Sequence, residues 1–98
     1  KIHPQRALLE AYKTDYEPTY KDNVSTFGGH AYDGIQLISD ALKAVGDNPA
    51  KIRDYIENTR FVGTGGIFCF SPTDHCGLDK TAFELLTVED GKFVVLEQ

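Results

Sequence analysis

Gly63-Thr64-Gly65-Gly66-Ile67-Phe68-Cys69-Phe70 is where the chain changes period. On its N-terminal side apolar residues recur at three- and four-residue spacing, which is helical. The glycine-rich group reads as a turn, and Ile67 to Phe70 as a short, rather buried strand. Ser71-Pro72-Thr73-Asp74 is turn chemistry. Beyond it, residues 83–89 and 92–96 read as two strands. They are joined at Asp90-Gly91, and Asp-Gly between apolar runs is a strong hairpin signal.

Three helices are expected upstream. Pro4 suits a first helical turn. Leu8, Leu9, Tyr12 and Tyr16 then mark an amphipathic helix over about 4–16, ended by Pro18, with residues 17–26 as a polar loop. The strongest helix spans about 29–45. Ala31, Ile35, Ile38, Leu42 and Val45 form its stripe, Leu37, Ala41 and Ala44 widen it, and Gly46 stops it. Asp47 or Asn48 caps a third helix with Pro49 at its first position. Its apolar face is Ile52, Tyr55 and Ile56, and Asn58-Thr59 close it. The order is three helices, then three strands, an α/β composition with a thin core.

The chain has 98 residues, enough for one small domain or part of a larger one. Ten basic against fifteen acidic residues give a net charge of -5, which disfavours nucleic acid. No basic cluster suggests a membrane surface, and no apolar run is long enough to cross a bilayer. Lys1-Ile2-His3-Pro4 is not a start and there is no Met, so the sequence reads as an excised or processed piece. No strand separates the first two helices, which also suits a part of a larger α/β protein.

Several stretches, taken in order, carry a resemblance. They are Leu9-Glu10-Ala11-Tyr12-Lys13, Phe27-Gly28-Gly29-His30-Ala31-Tyr32-Asp33, Phe61-Val62-Gly63-Thr64-Gly65-Gly66-Ile67-Phe68, Phe70-Ser71-Pro72-Thr73-Asp74-His75 and Glu89-Asp90-Gly91-Lys92-Phe93. Together they resemble type I periplasmic solute-binding proteins of the branched-chain amino-acid (Leu/Ile/Val) ABC-transporter family, over nearly the whole chain and as a C-terminal piece. The resemblance implies two α/β lobes that close on a ligand by a hinge. It places residues 1–82 in the N-terminal lobe and 83–98 in the last crossover and hairpin towards the second. It implies a periplasmic or extracellular location, capture of an amino acid or related carboxylate, and delivery to a membrane permease, with no cofactor. A ligand-sensing domain of a receptor or regulator has the same fold and stays open.

Four residues are expected at the ligand. The family's aromatic contact before the long helix falls on Phe27, which otherwise packs under its loop. Gly28 and Gly29 open a helix N-terminus whose N–H groups suit a carboxylate, or simply shape the loop. His30 is unusual for a Leu/Ile/Val binder and suits a carboxylate or aromatic acid. Its alternative is a hydrogen bond to Asp33. Tyr32 reads as core, Asp33 as a favourable charge near the helix N-terminus, and Tyr12, Tyr16 and Tyr20 as structural.

Cys69 and Cys76 flank the Ser-Pro-Thr-Asp turn at positions the family usually fills with polar residues. A disulfide is expected there, with two free thiols as the alternative. Paired zinc-ligand spacing is missing around Asp74, His75 and Cys76, so no metal is expected. An enzyme is not expected either. The His75-Cys76 pair is adjacent, Ser71 lacks a nucleophile elbow, and Gly63 to Gly66 lacks a following Lys. A homodimer or strand-swapped oligomer is expected from exposed sheet edges.

Overall fold

The computed structural model describes residues 3–96, so the expectations resting on Lys1, Ile2, Glu97 and Gln98 lie outside the described residues. Helix α1 is Arg6–Tyr20, α2 is Thr26–Val45 and α3 is Pro49–Glu57. Strands β1 (Arg60–Val62), β2 (Ile67–Cys69), β3 (Leu86–Glu89) and β4 (Lys92–Val95) follow, with a short 3-10 turn at Lys80–Ala82.

The first helix departs from expectation at both ends. Pro4 lies in the turn before it and Pro18 inside it. Proline removes one ladder hydrogen bond and crowds the carbonyl four residues back. Two residues before the end of the helix, that leaves the rest of the ladder intact. Lys21, at φ 52, then closes α1 with its N–H on the Glu17 carbonyl. The extra turn brings Tyr20 against Tyr16, ring centres 4.8 Å apart.

The second helix begins at Thr26, three residues earlier than its apolar stripe suggests. Ser25 is its cap: the Oγ accepts from the Gly28 N–H at 3.1 Å. The stripe could not show this, because capping is polar and local. At the other end Gly46, at φ 78, donates to the Leu42 carbonyl as expected. Asn48 rather than Asp47 caps α3, accepting from the Lys51 N–H at 3.1 Å. The α3 residues Ile52, Tyr55 and Ile56 are half-buried, and α3 packs on α2.

Four strands form where three were expected, in two separate antiparallel pairs. β1 was hidden because it is three residues long and directly follows α3. It pairs with β2 in the register Phe61 with Phe68, across the Gly63–Gly66 turn, and the Gly63 N–H reaches the Gly66 carbonyl at 2.9 Å. β2 ends at Cys69, one residue short of expectation. Phe83 to Leu85 precede β3 and are not part of it. The Asp90-Gly91 turn is as read: both have positive φ, 49 and 75, the geometry of a tight hairpin.

The core is thin. Among the described residues only Ala41 and Phe61 are buried hydrophobics, and no large side chain is fully enclosed. Phe61, Phe68 and Phe70 form a small aromatic cluster, with centres 6.2 and 5.6 Å apart. The Cα radius of gyration is 15.9 Å, against roughly 13 Å for a compact domain of this length.

Candidate functional site

Three elements meet at the N-terminus of α2: its first two turns, the start of α1 and the Gly63–Gly66 turn. Asp33 holds the last of these. It is only 5% exposed, and its carboxylate accepts the Thr64 N–H at 2.7 Å and the Gly65 N–H at 2.9 Å. Charge-assisted bonds of this kind are stronger than neutral ones. Asp33 therefore does more than favour a helix end electrostatically: it ties a helix to a turn thirty residues away.

Gln5 holds the same turn from the other side. Its side-chain amide donates to the Gly63 carbonyl at 2.8 Å, with a longer contact to the Thr64 carbonyl, and the residue is 8% exposed. Close approach explains two glycines. A Cβ on Gly29 would sit 2.7 Å from Thr64 Oγ1, and one on Gly65 would sit 2.6 Å from His30 Cε1. Thr64 Oγ1 is buried with no hydrogen-bond partner among the described residues.

The four expected ligand residues divide. Phe27 lies in the first turn of α2, not in the loop before it, and is 87% exposed. His30 is exposed on the next turn, its ring against Gly65. The alternative for His30, a bond to Asp33, is not formed: the Asp33 oxygens accept from the turn amides. Gly28 and Gly29 are not free donors: their N–H groups go to the Ser25 side chain and carbonyl. A hollow of about 300 Å³ lies beside Gly29, between Tyr12, Val24, Ser25 and Thr64. A larger one, about 870 Å³, lies instead between the 3-10 turn, the Phe83 to Leu85 segment and the end of β4.

Tyr32 is 43% exposed, so it is not core. Its ring leans on Tyr12 with centres 4.9 Å apart, and Tyr12, Tyr16 and Tyr20 continue as a ladder along α1. The cysteines expected to pair are free thiols, both exposed. The turn between them is braced by Asp74. Its Oδ1 accepts from the Cys76 and Gly77 N–H groups, and the Cys69 N–H reaches the Gly77 carbonyl. His75 turns away to Glu57 of α3, at 2.9 Å. Among the described residues no three His, Cys, Asp or Glu side chains gather to hold a metal, and no helix is long and apolar enough to cross a membrane.

Sequence reasoning missed Gln5, Thr64 and the full role of Asp33. The available signal was donor excess: a glycine turn rich in N–H groups needs an acceptor brought from elsewhere.

No protein-family model and no curated protein matches the chain. Solved structures do. An extracellular ligand-binding receptor from Rhodopseudomonas palustris HaA2 matches with a TM-score of 0.67 and 28% identity, over 86% of this chain and 26% of its own. A protein of R. palustris strain CGA009 matches with a TM-score of 0.65, 30% identity and the same coverage, 86% and 26%. Another extracellular ligand-binding receptor from R. palustris gives 0.65 and 29%, over 94% of this chain and 27% of its own. The chain spans about a quarter of the length of the structures it matches. Three helices followed by short strands, in this order and shape, are part of a type I periplasmic-binding-protein-like fold.

Proposed function

We propose that the chain is part of an extracytoplasmic solute-binding protein that captures a small carboxylate, an amino acid or aromatic acid, and passes it to an ABC permease. It acts as a binder and not as an enzyme. Residues 1–82 belong to the N-terminal lobe and 83–98 lead towards the second. The ligand meets Phe27 and His30 at the start of α2, where Gly28 and Gly29 let the helix seat closely on the Gly63–Gly66 turn.

The observation that carries this reading is the exposure of Phe27 on a helix end anchored by Asp33. A large aromatic left 87% exposed on a well-fixed element is a ready apolar cover for a ligand. The imidazole one turn on supplies a donor for a carboxylate. Two of the matched structures are described as extracellular ligand-binding receptors, which supports the same class. That word, receptor, also supports the second reading, a sensing domain of the same shape.

The test is a thermal-shift screen of the full-length product carrying this sequence, against amino acids and small aromatic acids. A stabilising class is expected, with the shift reduced about tenfold in apparent affinity by Phe27→Ala and by His30→Ala. No shift with any compound in the folded protein removes the binding reading. A shift unchanged in both variants removes the site.

A further inference from the structure

Cys69 and Cys76 are set opposite each other by the turn between them. Ser71 and Asp74 form an antiparallel bridge, with N–H to carbonyl distances of 2.9 and 3.3 Å in the two directions. Counting outward from that bridge, Phe70 falls opposite His75 and Cys69 opposite Cys76. The Cys69 N–H reaches the Gly77 carbonyl at 2.8 Å, one residue further on, so Cys76 and Gly77 together oppose Cys69, as at a bulge. Asp74 Oδ1 fixes that side by accepting from the Cys76 and Gly77 N–H groups at 2.9 and 3.1 Å. The side-chain faces agree with this register. Phe70 stacks on Phe68, with ring centres 5.6 Å apart, and His75 reaches Glu57 of α3. Phe70 and His75 both line a hollow against α3. Alternation sends their neighbours Cys69 and Cys76 to the other side, and both are exposed.

We infer that Cys69 and Cys76 are a dithiol site that closes to an intramolecular disulfide when it meets a low-molecular-weight disulfide oxidant. Directly opposed residues of antiparallel strands have Cα atoms about 4.5–5.5 Å apart. A disulfide spans roughly 4.4–6.8 Å between Cα atoms. One cysteine thiolate attacks a sulfur of the oxidant, expels one thiol and leaves a mixed disulfide. The other cysteine thiolate attacks the protein sulfur of that mixed disulfide and expels the second thiol. The two cysteine protons end on the two released thiols, and the two electrons lost by the protein are gained by the oxidant. The closed ring clamps the turn that carries His75 to Glu57. Neither cysteine is part of the proposed ligand site.

The test equilibrates the full-length product carrying this sequence with oxidised and reduced glutathione. Free thiols are then alkylated, and the cysteines are mapped by mass spectrometry after trypsin. No Lys or Arg lies between Phe61 and Lys80, so both cysteines fall on one peptide, 61–80, whatever other cysteines the product holds. That peptide should be about 2 Da lighter than its dithiol form and take no alkylating agent. Cysteines this near in sequence can also pair in an unfolded chain, so the same buffer is applied in strong urea. The folded protein should favour the bridge about tenfold more than the unfolded chain does. Asp74→Ala, which leaves the Cys76 and Gly77 N–H groups without their acceptor, should bring that ratio towards one. Asp74→Asn, which keeps an acceptor oxygen, should preserve most of it. Two glutathione adducts on the wild-type peptide overturn the inference, and so does a bridge between two chains. A bridge no more favoured in the folded protein than in urea overturns it too, since the turn then does not set the pair.

Discussion

Asp33 is the residue on which the site's geometry turns. A buried carboxylate with two N–H donors is legible only after folding, since Thr64 and Gly65 lie over thirty residues away. Hydrogen bonds to a charged group contribute about 1.5–3 kcal/mol each, so Asp33→Ala should lower stability by about 3 kcal/mol, measured by urea unfolding. Asp33→Asn, which keeps one acceptor oxygen, should fall between. Native-state hydrogen exchange at Thr64 and Gly65 should accelerate in both, and unchanged exchange there would refute the assignment. Asp79 offers a smaller, pH-dependent test. The Thr81 hydroxyl and then its N–H donate to the carboxylate and hold its pKa below the ordinary value, with Lys80 helping. A depressed folded-state pKa means the contribution is present above the unfolded value of about 4 and is lost as pH falls through the folded value. Acid titration of Asp79→Ala should therefore show a shallower loss of stability below about pH 4 than wild type. An identical acid limb would count against it.

The elements show which local rules survive folding. Gly46, Asn48, Pro49 and the Asp90-Gly91 turn all behave as their chemistry requires, because a cap or tight turn is satisfied within a few residues. Pro18 does not end its helix, because one lost bond in the last turn costs less than giving up the Tyr16–Tyr20 contact and the Lys21 closure. Pro18→Ala should restore that bond. Far-ultraviolet circular dichroism should show more helix and a higher melting temperature, by an amount below the roughly 3 kcal/mol a mid-helix proline costs. A lower melting temperature would mean that Pro18 stabilises the turn after α1. Strand β1 was unreadable for the opposite reason. Three residues carry no period, and only pairing with β2 makes Arg60–Val62 a strand.

At the scale of the molecule, the surface outweighs the core. Ile35, Ile38 and Leu42 of α2 stay 72%, 48% and 42% exposed, so three of the five residues in the stripe that announced the helix are largely uncovered among the described residues. The slope of urea unfolding follows the surface exposed on unfolding. For this chain it should lie at or below about 1 kcal/mol/M, the low end for small proteins. A steep transition would show a better core than the one seen. By itself the sequence determined the three helices, the Gly46 stop, the cap of α3 and the hairpin turn, together with a resemblance borne by motifs contiguous in the chain. These depend on periods and on contacts within a few residues. Only the tertiary structure decided that Gln5 and Asp33 brace one glycine turn, and that Phe27 and the hairpin face lie open. Each of those depends on what a distant segment does or does not bring near, and no local pattern encodes that.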